Sequence, residues 1–123
     1  MPFASRILVV EDEGPLASNL RTFLARHAAD VRVAADGEQA LAMLRSFQPD
    51  VAVIDYGLPD MNGLQTYSEM VRSLNEPLGC VMITGYPVED LARVAKAHGV
   101  RHVLSKPFQL AELGEAVEKS SQQ

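Results

Sequence analysis

Five short runs of aliphatic and β-branched residues punctuate this chain, and each is followed by a stretch with helical spacing. The runs at residues 6–10 (RILVV), 51–54 (VAVI) and 80–83 (CVMI) read as strands, and VAVI is apolar and mostly β-branched at every position. That pattern marks strands covered on both faces, because a half-exposed strand alternates. Residues 31–35 and 102–105 read as two further, shorter strands. Helices are predicted over 15–27, with Pro15 near the start, and over 36–47, opened by Asp36 as N-cap. Three more are predicted over 64–74, over 88–98 with Gly99 closing it, and over 110–119. Strand–helix units repeated in this way build a mostly parallel sheet with helices on both faces. The 123 residues suit one domain, residues 1–123, with an ordered core over about 5–119. The polar end, 120–123, reads as a tail or the start of a linker.

Bulk properties remove several classes of function. A formal charge of −5 argues against this domain gripping nucleic acid or an anionic membrane. No apolar run approaches the roughly 18 residues a membrane span needs. The opening MPFASRILVV lacks the long apolar core of a signal peptide. A single cysteine, Cys80, excludes an internal disulfide and fits the cytoplasm, and its apolar surroundings read as a buried, inert thiol.

The chemistry stands at the strand ends. ILVV runs into Glu11-Asp12, VAVI into Asp55, VMI into Thr84, and HVLS into Lys106-Pro107. Open parallel sheets bind ligands at the carboxyl ends of their strands. Clustered carboxylates there repel one another until a cation joins them, and oxygen donors suit a hard ion such as Mg²⁺. With a lysine and a hydroxyl beside them, they form a set suited to phosphoryl transfer.

Taken singly, each residue also has a plainer explanation. Glu11, Asp12 and Glu13 could complement a helix N-terminus. Asp55 could open an Asx-turn, Thr84 could be an ordinary strand residue, and Lys106 could be solvated. The conjunction at one end of successive strands favours the functional reading. The histidines, His27, His98 and His102, are scattered and lack ligand spacing, so a zinc site is not expected.

The ordered set ILVVEDE, VIDYGLPDMNG, VMITG and VLSKPF resembles the receiver domain of two-component response regulators. The resemblance implies a flavodoxin-like, doubly wound five-stranded parallel sheet of order 2-1-3-4-5 and a signalling switch in place of a turnover enzyme. It implies Asp55 as phosphoacceptor from a histidine kinase or phosphotransfer protein, and Mg²⁺ held by Asp12, Glu11, Asp55 and the Gly57 carbonyl. It also implies that Lys106 pairs with the phosphoryl oxygens, that Thr84 donates its hydroxyl to them, and that the Lys106–Pro107 bond is cis. The switched surface would be helix four, strand five and helix five, facing an output domain, a target protein or a second copy.

Two positions depart from the family pattern. Val103 stands where a Tyr or Phe ring often reports the switch. Tyr86, two residues after Thr84, is bulkier than usual and either tunes access to the acceptor, together with Gly57, or merely covers its loop. Two rival readings remain. A phosphorylation-independent interaction module would lose Asp55 or Lys106, and both are present. A Mg²⁺-dependent aspartyl-phosphate phosphatase would carry a second Asp where Gly57 stands.

Overall fold

A computed structural model describes residues 4–121. Its strands are β1 (Ala4–Val10), β2 (Ala28–Ala34), β3 (Val51–Asp55), β4 (Gly79–Thr84) and β5 (His102–Ser105). Its helices are α1 (Gly14–Leu24), α2 (Gly37–Met43), α3 (Gly63–Ser73), α4 (Val88–Ala97) and α5 (Leu110–Ser120). Every pairing is parallel and the strand order is 2-1-3-4-5, the flavodoxin-like arrangement that the motifs imply. The order reverses between β1 and β3, and the crevice at their carboxyl ends is where such sheets bind ligands.

The continuous apolar runs split cleanly by strand period. Ile7, Val9, Val51, Val53, Val81 and Ile83 point to one face, where they pack with Leu20 and Leu24 of α1 and Leu113 and Val117 of α5. Leu8, Val10, Ala52, Ile54, Cys80 and Met82 point to the other, against α2, α3 and α4. Successive side chains on a strand alternate faces, so two cores from one sheet require apolar residues at every position. Fully burying one such side chain stabilises the fold by about 1.5–3 kcal/mol, and most of these are wholly inaccessible.

Helix boundaries follow local chemistry. Asp36 accepts from the Gln39 N–H and Asn62 from the Gln65 N–H, both at 2.8 Å, which supplies the N-caps of α2 and α3. Gly99 adopts φ +88° just beyond α4, a left-handed position where a side chain would be strained. Helix α2 stops at Met43, earlier than its apolar period suggests, and Phe47 is buried beyond it after a set of turns. Strand β2 begins at Ala28, three residues before the β-branched run. As the sheet's edge it carries exposed Arg32 in alternation, and its first residues lack a strand's usual side chains.

The expected polar tail needs correction at its first residue. Ser120 is 1% exposed, belongs to α5, and donates its hydroxyl to the Cys80 carbonyl at 3.1 Å. Its backbone lies so close to Gly79 that a β-carbon there would stand 2.6 Å from the Ser120 carbonyl oxygen. A small polar side chain can be core when a strand carbonyl receives its proton. Residues 122–123 of the predicted tail lie outside the described residues.

Gly63 ties the fold to the crevice. A β-carbon there would meet the Asp55 carbonyl oxygen and the Tyr56 α-carbon at 2.8 Å, and Met82 Sδ at 2.6 Å. Two of these neighbours are backbone and cannot give way. Gly63→Ala is expected to destabilise the fold by about 1–3 kcal/mol through overpacking, read as a lower urea midpoint with an unchanged slope.

Candidate functional site

The strand period that builds two cores also gathers the charges. Glu11 follows Ile7 and Val9 in parity, Asp55 follows Val51 and Val53, and Lys106 follows Leu104, which packs on that same face. The β1–β3 register pairs Val10 with Ile54, so Glu11 and Asp55 emerge side by side. Glu11 also continues the sheet, its N–H donating to the Ala34 carbonyl at 3.0 Å. Both carboxylates are buried, at 2% and 6% exposure.

Lys106 answers both acids. Its Nζ lies 3.3 Å from Glu11 Oε1 and 3.3 Å from Asp55 Oδ2. It is hydrogen-bonded to Asp55, whereas Glu11 Oε1 has charge contact but no aligned hydrogen bond. Burial works against the ammonium, yet the charges of Asp55 and Glu11 outweigh it and hold its pKa above the ordinary lysine value. Burial likewise pushes Glu11 up to about 7, opposed by the Glu13 N–H, reinforced by the charge of Asp55 and offset in part by Lys106. One lysine does not neutralise two buried carboxylates, and the surplus appears on Glu11.

The remaining residues singled out in the sequence surround this trio. Asp12 is exposed, and an oxygen from each of Glu11, Asp12 and Asp55 lies within 4.8 Å of the others. Gly57 is exposed, and its N–H donates to Asp55 Oδ1 at 3.1 Å, the contact that the plainer Asx-turn reading of Asp55 expects. Glu13, by contrast, makes no side-chain cap at the start of α1; its N–H donates to Glu11 Oε2 at 3.1 Å. Thr84 is fully buried at the tip of β4, and its Oγ1 accepts from the Tyr86 N–H at 2.9 Å. Tyr86 is 63% exposed. Val103 is half-buried against the α2–α4 core, and the Lys106–Pro107 bond is cis.

Other candidates do not join the cluster. His27, His98 and His102 stay on separate elements. Cys80 is buried and burial pushes its thiol pKa far up, so it offers no nucleophile. Two residues escaped the sequence reading. Asp60 accepts from the Gly37 and Glu38 N–H groups at 2.9 and 2.8 Å, tying the β3–α3 loop to α2. Tyr56 stacks edge-on against Tyr86, ring centroids 6.1 Å apart. A lone aromatic after an acid carries no pattern, and an acid in a Gly- and Pro-rich loop gives no sign of a helix that lies more than twenty residues earlier.

Residues 7–118 match the response regulator receiver domain family. The chain belongs to that family. The Escherichia coli K12 regulator of RpoS is 38% identical over 104 residues, which are 83% of this chain and 30% of that protein. The regulatory protein AtoC of the same strain is 31% identical over 122 residues, 99% of this chain and 26% of AtoC. The chain therefore spans under a third of the length of these two relatives. The Francisella response regulator 1452 receiver domain superposes with a TM-score of 0.83 at 25% identity, covering 96% of this chain and 97% of that one. This is a phosphoacceptor receiver of a two-component system, a signalling switch.

Receivers bind Mg²⁺ at an acidic pocket, and the residues here fit such an ion. The donor set is oxygen only, Asp12 faces solvent, and buried Glu11 Oε1 has no hydrogen bond. Hard divalent cations take this kind of donor.

The raised pKa of Glu11 has a consequence for stability. The unfolded chain releases this proton near 4.5 and the metal-free fold near 7. Between these values the folded state binds more protons, so the contribution of Glu11 to stability falls as pH rises across the window. Glu11→Gln should flatten this fall. Urea midpoints in chelator from about pH 5 to about pH 8 test it, and parallel profiles for parent and variant would refute it.

Proposed function

We propose that Asp55 is the phosphoacceptor and that the chain takes its phosphoryl group from the phosphohistidine of a kinase or phosphotransfer protein. The observation carrying this reading is the buried carboxylate at the tip of β3, held by the Gly57 N–H on one oxygen and Lys106 on the other. A carboxylate oxygen attacks phosphorus, the P–N bond of the donor breaks, and the imidazole keeps the electron pair. Rigid placement of the nucleophile lowers the entropic cost of this step.

Lys106 shifts from the carboxylates to the new phosphoryl oxygens, and Thr84 turns its hydroxyl to them. Asp12, Glu11, Asp55 and the Gly57 carbonyl would hold Mg²⁺, which would supply positive charge against the negative charge of the transferring group. A groove of ≈ 590 Å³ of mixed character, lined by Leu16 and Phe23 of α1, by Phe108 and Leu110, and by the charged Glu13 and Arg26, opens beside Lys106. It offers the donor protein a seat next to the acceptor.

The output reading is carried by the α4–β5–α5 face, where Val94 of α4 is exposed. That face serves an output domain, a target protein or a second copy of the chain. Among the described residues no helix is long and apolar enough to cross a membrane. We place the domain in the cytoplasm, without direct contact to nucleic acid or membrane. Turnover of small phosphate esters is disfavoured, since Gly57 provides no acid for a leaving group.

Intact mass after incubation with acetyl phosphate tests the assignment. A single phosphoryl adduct is expected that requires Mg²⁺ and disappears in Asp55→Asn. Lys106→Ala should still accept some phosphoryl group but lose the change at the α4–β5–α5 face, read by amide exchange. Equal uptake by the parent and Asp55→Asn would sink the assignment.

A further inference from the structure

Tyr56 and Tyr86 flank the acceptor loop, and the exposure of Tyr86 makes their contact unusual. Tyr86 is 63% exposed, yet its ring meets that of Tyr56 at 6.1 Å and 83°. This is the edge-to-face geometry in which aromatic rings attract beyond simple burial.

Tyr56 is the fixed partner. Its N–H donates to the Ile83 carbonyl at 2.7 Å, its own carbonyl accepts from the Gly63 N–H at 2.8 Å, and its ring packs against the core. Tyr86 is the free one. It sits between exposed Gly85 and Pro87, and Gly85 is surrounded by open space.

The link to chemistry is Thr84. Its backbone is anchored, since its carbonyl accepts from the Lys106 N–H at 2.8 Å. Its response to an anion on Asp55 is therefore a side-chain rotation, and a rotamer step is about 120°. Such a step takes Oγ1 away from the Tyr86 N–H that now donates to it at 2.9 Å. The Tyr86 N–H then loses that bond, which frees its loop to move against the hold of Tyr56. On β5, meanwhile, Val103 offers no ring to respond.

We infer that the Tyr56–Tyr86 pair is a positioning latch that keeps Thr84 in its resting rotamer, so that the state of Asp55 is reported through Tyr86 instead of β5. The inference rests on Asp55 being the acceptor. A ring contact of this kind, lost on switching, weakens the switched state relative to the resting one by about two- to ten-fold.

Equilibrium affinity for beryllofluoride with Mg²⁺, an acyl-phosphate mimic, tests this on the full chain. Tyr56→Leu and Tyr86→Ala should each tighten binding about two- to ten-fold. The double variant should gain no more than either alone, because one contact is removed in all three. Tyr86→Phe keeps the ring and should bind like the parent. In chain labelled with 3-fluorotyrosine, the Tyr86 resonance should shift on binding. Additive gains, unchanged affinities or an unmoved resonance would overturn the latch while leaving the acceptor intact. Failure of the parent to bind beryllofluoride at all would remove the acceptor reading and the latch with it.

Discussion

Everything at this crevice follows from two carboxylates buried side by side with a single ammonium. Burial of charge is costly unless it is paired, and removing one partner of a buried pair leaves the other uncompensated. Lys106 lies 3.3 Å from both Glu11 and Asp55 but hydrogen-bonds only Asp55, so one positive charge faces two negative ones. The shortfall is visible as an unbonded oxygen on Glu11 and a pKa pushed up to about 7. A divalent cation bound by the acidic cluster would relieve that imbalance. The resting site is thus poised for charge rearrangement because the sheet holds its acids closer than their own repulsion favours.

The backbone makes that closeness possible. Parallel register sets Glu11 beside Asp55, and hydrogen bonds continue past the last strand residues from Glu11 to Ala34 and from Tyr56 to Ile83. Gly63 lets the start of α3 approach the Asp55 carbonyl, while Asp60 caps the N-terminus of α2 from the same loop. The acceptor loop is consequently stitched to two helices and a strand. Room for movement lies on the opposite side of the crevice, where Gly85 has nothing packed on it and Tyr86 is 63% exposed.

The fold was largely legible because strands covered on both faces carry continuous apolar runs, which few other elements share. Asp36 as N-cap, Gly99 beyond α4 and the extent of β5 all follow from local chemistry. Legibility failed where tertiary contacts override local pattern. The first residues of β2 are strand only because β1 pairs with them, and Ser120 is core only because Cys80 offers a carbonyl. At the site, Glu11, Asp12, Asp55, Thr84 and Lys106 were visible as polar interruptions at strand ends. The Tyr56–Tyr86 contact joins residues thirty positions apart through a geometry that no spacing encodes.

Two plain local readings, the Asx-turn at Asp55 and the hydroxyl bond at Thr84, coexist with the functional ones, and that coexistence is informative. Short polar side chains that bond to backbone two residues on are common in turns. Here the acceptors of those bonds belong to the two side chains that the proposed phosphorylation would engage. Asp55 Oδ1 holds the Gly57 N–H, and Thr84 Oγ1 holds the Tyr86 N–H. These are closed local hydrogen bonds, and the switching proposed above would exchange them for bonds to a new anion. Such an exchange changes little in number and much in position, so small differences in ring contact at Tyr86 or packing at Val103 can decide which set prevails.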